Sequence, residues 1–378
     1  MATDYAIPAQ SIRGGHARER TRFHILAASP DARALTVWFS SRLFVLCLSW
    51  AAVDITHSAW LNVWPSWDAG IFVRIAQYGY FSPDSVAHSV AFFPGLPILL
   101  AVMHALIPQW AVDGLLISLV SGAFACLALR RIADYWSPGT GSKAVLFLVA
   151  SPAAFFLAAG YTESLFLAFA LWCWVLLLDG RRYAAIFCAA GACAVRVDGL
   201  FLCAAVALFL ITRSAWRYLP ALSVSVLPAA CYELYLWAKT GDWMAWDHAE
   251  AIGWDRHFTN PVSSFVVTLH AAESYPMPYT FTFSLEIAAV LIGAVTVAWL
   301  SYARRWPELL FASLAVGTLA TSTWYESVPR SLLLLWPLWC GLARLSQRYP
   351  WAGRVYLTAS LPVCAAVGLL FLTGHWAG

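Results

Sequence analysis

The chain has 378 residues, 61% hydrophobic and only 11% charged, with a formal net charge of +3 and a mean hydropathy of +0.69. A soluble domain carries about 25% charged residues, so this composition excludes a water-soluble globular protein, and so small a charge leaves no footprint for nucleic acid. It fits an all-α polytopic membrane protein, because lipid offers no partners for free backbone N–H and C=O groups and helices satisfy them internally.

Residues 1–33 are polar and contain Arg13, Arg18, Arg20 and Arg22; they read as a cytoplasmic tail, with a transmembrane domain over 34–378. No cleavable signal peptide is expected, since the N-terminus is polar and the first apolar span is long enough to stay in the membrane. Apolar spans are predicted at 35–54, 91–108, 112–132, 143–159, 161–179, 182–198, 199–213, 215–238, 281–302, 307–323, 330–346 and 354–373. Two polar interruptions stand out, 55–90 and 239–280. Within the first, Ile71, Ile75 and Tyr78 lie at helical spacing with Phe72, Ala76 and Gly79 alongside, while Arg74 and Gln77 face elsewhere. This predicts an interfacial helix on the outer membrane surface, with Ser66 as N-cap and Trp67 and Asp68 in its first turn.

Lysine occurs only at Lys143 and Lys239, so arginine sets the topology. Arg181-Arg182, Arg213 with Arg217, Arg304-Arg305 and Arg344 with Arg348 mark the cytoplasmic side. Both long loops then lie outside, together with the turns Tyr161 to Glu163, Arg196 to Asp198 and Tyr325 to Arg330. Seven spans separate two loops on the same side, and an odd number cannot. Either one span is re-entrant or two are a single broken helix; 91–108 and 199–213 are the short candidates, and about eleven crossings are expected. The nine cysteines sit in apolar segments with no Cys-x-x-Cys pair and read as small buried hydrophobes.

Four places could carry chemistry. Asp68 is an acidic residue in a helical first turn, where the dipole favours it as structure and also keeps it ionised, as a general base requires. Glu163 lies between two apolar spans, either as an interfacial loop carboxylate or facing protein and water. Arg196 and Asp198 either pair with each other or leave Arg196 to grip a phosphate. Arg330, at an outer membrane boundary, runs against the charge rule and points to function. The 239–280 segment adds His248, Arg256 and tryptophans that either stack on sugars or anchor at the interface. There is no Asp-x-Asp, His-Glu-x-x-His or P-loop, so a soluble nucleotide-sugar site with bound metal is not expected, and no cofactor is implied. A lipid-borne donor suits an extracytoplasmic site, since it presents its phosphate at the membrane surface.

The segment Trp67-Asp68-Ala69-Gly70 through Ile75-Ala76-Gln77-Tyr78-Gly79-Tyr80, with Ala91-Phe92-Phe93-Pro94-Gly95-Leu96-Pro97, resembles the PIG-V mannosyltransferase family and its bacterial relatives. Ser151-Pro152-Ala153 with Tyr161-Thr162-Glu163-Ser164-Leu165-Phe166 is similar to a second block of that family. Ala194-Val195-Arg196-Val197-Asp198-Gly199-Leu200 resembles its Thr-Arg-Ser-Asn-Gly block but departs at Val195, Val197 and Asp198. Gly241-Asp242 to Arg256 resembles a loop block, and Ser327 to Arg330 a late arginine motif whose usual Arg-Tyr here reads Arg330-Ser331. The resemblance runs over roughly 35–345.

The resemblance implies a GT-C glycosyltransferase bundle of about eleven transmembrane helices in the inner (plasma) membrane, with the catalytic carboxylate, here Asp68, in the first outer loop. It further implies transfer of a sugar, mannose foremost and a pentose as the alternative, from polyprenyl phosphate to a lipid or glycolipid. A lipid-anchored polysaccharide and a protein serine remain open as acceptors. Asp68 would act as base in an inverting displacement, and Arg196 and Arg330, with Arg256 and His248 in reserve, would stabilise the phosphate. Glu163, Tyr161 and Trp67 complete the expected substrate contacts. The rival reading is a transporter or flippase of lipid-linked sugars, which internal repeats would favour. A structural membrane subunit is the third, opposed by the clustered intramembrane charges.

Overall fold

A computed structural model describes residues 29–377, and these form an all-helical bundle with no strand among them. The first helix, α1 (Pro30–Thr56), opens on a strong local start signal. Ser29 Oγ accepts from Ala32 N at 3.1 Å, Pro30 fills the first position and Asp31 the first turn, each suited to a helix N-terminus. It begins inside the stretch expected to be tail; the rest of that stretch, residues 1–28, lies outside the described residues.

There follow α2 (Asp68–Tyr78), α3 (Gly95–His104), α4 (Trp110–Trp136), α5 (Gly141–Val149), α6 (Thr162–Leu178), α7 (Arg182–Val195), α8 (Asp198–Thr212) and α9 (Leu219–Thr240). The chain continues through α10 (Ala245–Trp254), α11 (Pro261–Ser274), α12 (Tyr279–Tyr302), α13 (Trp306–Ala320), α14 (Val328–Leu334), α15 (Trp336–Arg348) and α16 (Pro350–Leu372). Five stretches are long and apolar enough to cross a membrane: α1, α4, α9 with its preceding turn, α12 and α16. The chain is a multi-pass membrane protein, and α1 turns Phe39, Leu43, Phe44, Leu46 and Trp50 outward, where lipid would cover them.

The odd span is α3. At about 1.5 Å per residue its 10 residues reach about half of a hydrocarbon core of roughly 30 Å. It stays at one end of the bundle: Gly95 packs against Ala194 at the end of α7, and His104 Nδ1 lies 3.0 Å from Asp113 Oδ2 in the first turn of α4. Without α3, six passes separate the two polar interruptions, and both emerge at the same end. Counting α5 with the 3-10 turn Ala154–Leu157 as one pass, and α14 with α15 as another, the described residues make eleven passes.

Two spans expected to be continuous are broken, each at a proline. Pro152 lies in the gap between α5 and the 3-10 turn. Pro337 sits at the start of α15 and has no N–H to give to the Leu333 carbonyl four residues back. Trp339 Nε1 donates to that carbonyl instead, at 3.1 Å. The break at Leu335 divides this pass into α14, which carries Arg330, and α15.

The core is aromatic and tight. Trp174 packs between Phe209 and Trp336, with ring centroids 5.8 and 4.9 Å away. Trp38 lies on Gly122, where a Cβ would overlap its indole, so α1 and α4 approach closely. At the end opposite Asp68, Arg130 pairs with Asp31 at 2.6 Å and Asp134 at 3.1 Å. The 239–280 segment, expected as a long polar interruption, contains α10 and α11.

Candidate active site

The segment entering α2 aims Asp68. Trp67, the residue before the helix, has φ +55, a conformation costly for a large side chain. Gly70 permits the turn, since a Cβ there would lie 2.8 Å from the Pro65 carbonyl. Ser66 is therefore not the N-cap expected from the sequence: its Oγ donates to the Val63 carbonyl at 3.3 Å. Interfacial packing is also rotated from expectation. Ala69, Phe72 and Ile75 form the buried face, Tyr78 is exposed, and Arg74 and Gln77 face outward as predicted.

Four segments far apart in sequence join in one charge network that includes the Asp68 carboxylate. Arg330, in the first turn of α14, donates from NH1 to Asp68 Oδ2 at 3.0 Å and from Nε to Glu163 Oε1 at 3.1 Å. Arg196, between α7 and α8, donates from Nε to Asp198 Oδ2 at 2.8 Å and from NH1 to Thr162 Oγ1 at 2.9 Å; the same NH1 reaches Glu163 Oε1 at 3.4 Å. Glu163 is fully buried in the first turn of α6. The sequence left open whether Arg196 pairs with Asp198, and here the two are an ion pair. Two guanidinium groups thus face three carboxylates.

Beside this network opens a cavity of about 500 Å³. Asp68, Arg196, Asp198 and Arg330 line it on one part; Trp246, Asp247, Glu250, Trp254 and Arg256 come from α10 and the residues after it. Ala315, Thr318 and Leu319 of α13 add an apolar strip. Arg256 NH1 donates to Glu250 Oε2 at 2.8 Å. The loop after α10 is strapped to the end of α13, with Thr259 N donating to the Thr321 carbonyl at 2.7 Å. Among the described residues no group of three His, Cys, Asp or Glu could hold a metal ion.

Four expected site residues are not on the cavity wall, and one of them, Glu163, is buried behind it against Arg196 and Arg330. His248 is exposed on α10, with Nδ1 2.8 Å from Asp242 Oδ2, and is not on the cavity wall. Helical geometry explains this: Asp247, Glu250 and Trp254 share one face of α10 and His248 points off it. Trp67 is half-exposed and absent from the wall, because its strained turn sends the indole outward. Tyr161 is buried beneath the network, its ring 4.6 Å from the Arg330 guanidinium carbon, so it supports the arginine by a cation–π contact and does not reach the cavity.

Glu286, Asp247, Glu250 and His257 were not singled out from sequence, whereas Trp254 is one of the tryptophans expected either to stack on sugars or to anchor at the interface. Glu286 of α12, fully buried, accepts from Ser327 N at 2.9 Å and Val328 N at 2.8 Å. It thereby caps the start of α14 and fixes the turn before Arg330, where Ser327 has φ +62. Asp247, Glu250, Trp254 and His257 reach the cavity only because the second polar interruption folds into helices. A period-3.6 reading of Asp247, Glu250 and Trp254 would have grouped them.

Burial also tunes carboxyls outside the passes. It raises that of Glu250 despite the Arg256 guanidinium beside it. Glu326, in the turn before α14, is pushed up to about 8 by burial, against the pull of Arg256, and its Oε2 has no hydrogen-bond partner. A raised carboxyl favours the protonated folded state. Its contribution to stability is full below the ordinary value of 4.5 and declines as pH rises to about 8. Glu326→Gln should flatten that decline and leave the purified protein more heat-resistant than the parent at pH 9. Melting curves from pH 4 to 9 check this; parallel profiles would refute it.

A solved structure of ArnT from Cupriavidus metallidurans bound to undecaprenyl phosphate superposes with a TM-score of 0.51 over 89% of this chain and 76% of that one, at 14% identity. At that identity the likeness shows the fold alone. Rat GPI alpha-1,6-mannosyltransferase 2 is 32% identical over 161 residues, 39% of this chain and 32% of that protein. The human protein of the same name is 35% identical over 146 residues, 35% of this chain and 29% of its own. The matched stretch spans about a third of these relatives' length. The family model described as Mannosyltransferase (PIG-V) matches residues 31–222, half of the chain, including Asp68, Glu163, Arg196 and Asp198, and the chain belongs to that family.

Proposed function

We propose that the protein is an inverting mannosyltransferase that moves mannose from a polyprenyl-phosphate donor to a lipid or glycolipid acceptor, with Asp68 as general base. The observation that carries this reading is the Asp68 carboxylate on a cavity wall, fixed by Arg330 at 3.0 Å. A surface cap would need no arginine from the far end of the chain.

In the reaction an acceptor hydroxyl loses its proton to Asp68 as its oxygen attacks the anomeric carbon. The bond from that carbon to the phosphate oxygen breaks, and polyprenyl phosphate leaves with the electron pair. Phosphate is a good leaving group, so no general acid is required. What helps is positive charge where negative charge develops, and Arg196, Arg256 and Arg330 surround the cavity. Tryptophans 246 and 254 offer faces for a sugar ring. The apolar strip of α13 suits a lipid approaching from the bilayer. The Arg-rich turns at the opposite end of the bundle support an extracytoplasmic site in the plasma membrane.

The test is to incubate purified protein with polyprenyl-phosphate mannose and a panel of membrane lipids, then to follow products by mass spectrometry. A mannosylated lipid with inverted anomeric configuration is expected. Movement of the donor across a vesicle membrane with no transfer would replace this reading with a flippase.

A further inference from the structure

The three arginines at the cavity are not equivalent. Arg196 and Arg330 are tied to Asp68, Glu163 and Asp198, and with three carboxylates against two guanidiniums that network does not by itself attract an anion. Arg256 lies outside it. Its NH1 donates to Glu250 Oε2 at 2.8 Å, and its Nε is buried with no hydrogen-bond partner. Both residues line the cavity. Asp255, between α10 and Arg256, has φ +53 and turns the chain so that the guanidinium folds back along α10 to Glu250.

We propose that Glu250 is a latch on the arginine that receives the donor phosphate: it holds Arg256 until a phosphodiester arrives and then yields it. This rests on the reading of the donor as a polyprenyl-phosphate sugar. A guanidinium offers Nε and a terminal nitrogen as a planar fork to phosphate, and here Glu250 engages only the terminal nitrogen. An incoming phosphate monoanion exchanges one carboxylate partner for one phosphate partner. The Arg256 charge stays matched, and Glu250 is left in a desolvated wall near Asp68 and Arg196. Burial already raises the Glu250 carboxyl, so the released group can take a proton from solvent. The latch keeps the guanidinium pre-positioned and spares the cavity an unmatched cation, at the cost of some donor affinity.

The test uses the full chain in phosphatidylethanolamine–phosphatidylglycerol nanodiscs, with undecaprenyl phosphate as probe and the neutral alcohol undecaprenol as control. Glu250→Gln should bind undecaprenyl phosphate about tenfold more tightly and lower the donor KM in step. Binding of undecaprenol should stay unchanged. Arg256→Gln should weaken phosphate binding by at least as much, and the double variant should behave like Arg256→Gln alone. Glu250→Asp, whose shorter arm keeps the charge but loosens the pair, should fall between parent and Glu250→Gln, which guards against a variant that merely misfolds. Phosphate binding that is unchanged or weaker in Glu250→Gln, beside a clear loss in Arg256→Gln, overturns the latch and leaves the functional reading standing. Failure of the parent protein to prefer undecaprenyl phosphate over undecaprenol overturns both.

Discussion

Asp68→Asn should lower mannosyl transfer by about 10²- to 10⁴-fold, the usual worth of a general base, while the protein still folds. Asn keeps the shape of the side chain and an oxygen that can accept from Arg330 NH1, now 3.0 Å from Asp68 Oδ2. It loses the negative charge and with it the ability to take a proton, while Glu163 still pairs with Arg330. The loss should fall on turnover and leave donor KM close to the parent value, because the proton moves in the transition state and not on binding. Thermal unfolding in detergent separates this from a folding defect. Transfer within a few-fold of the parent would remove Asp68 from the mechanism. So would a defect confined to donor KM, which would make the carboxylate a binding group.

Much of this was legible in the sequence, for identifiable reasons. Long apolar runs and arginine-rich turns gave the helices and the shared end of both polar interruptions. The parity conflict left 91–108 and 199–213 as the short candidates without deciding between them, and α3, within 91–108, is the helix that stays at one end. Asp68, Glu163, Arg196 and Arg330 were each conspicuous because a charge between apolar spans is costly unless paired, and the fold pairs them with one another. What stayed hidden depended on directions that only packing sets. Trp67 adjoins Asp68 in sequence, yet a positive φ points its indole away. His248 lies within a resembling block, but α10 turns Glu250 inward in its place. Glu286 reads as an isolated acid in an apolar helix, and its role exists only because the start of α14 packs against it.

Arg330→Met should be the most damaging single change at the site, costing about 3–5 kcal/mol of stability because it strands buried carboxylates. Glu163 is fully buried and accepts from Arg330 Nε at 3.1 Å and Arg196 NH1 at 3.4 Å, while Asp68 loses the guanidinium that orients it. Arg330→Lys should recover only part of the loss, since one ammonium replaces a planar fork that bridges two carboxylates. The informative variant is Arg330→Met combined with Glu163→Gln. Removing the stranded charge should restore most of the melting temperature, yet transfer should stay as low as in Arg330→Met, because nothing then aims Asp68. Recovery of both stability and transfer in the double variant would reduce Arg330 to a structural counter-ion of Glu163. A single variant that melts like the parent would mean the network is not what holds α14 to α6. The expected split, with stability rescued and chemistry not, follows from Arg330 touching two carboxylates with different duties: Glu163 answers to the fold and Asp68 to the reaction.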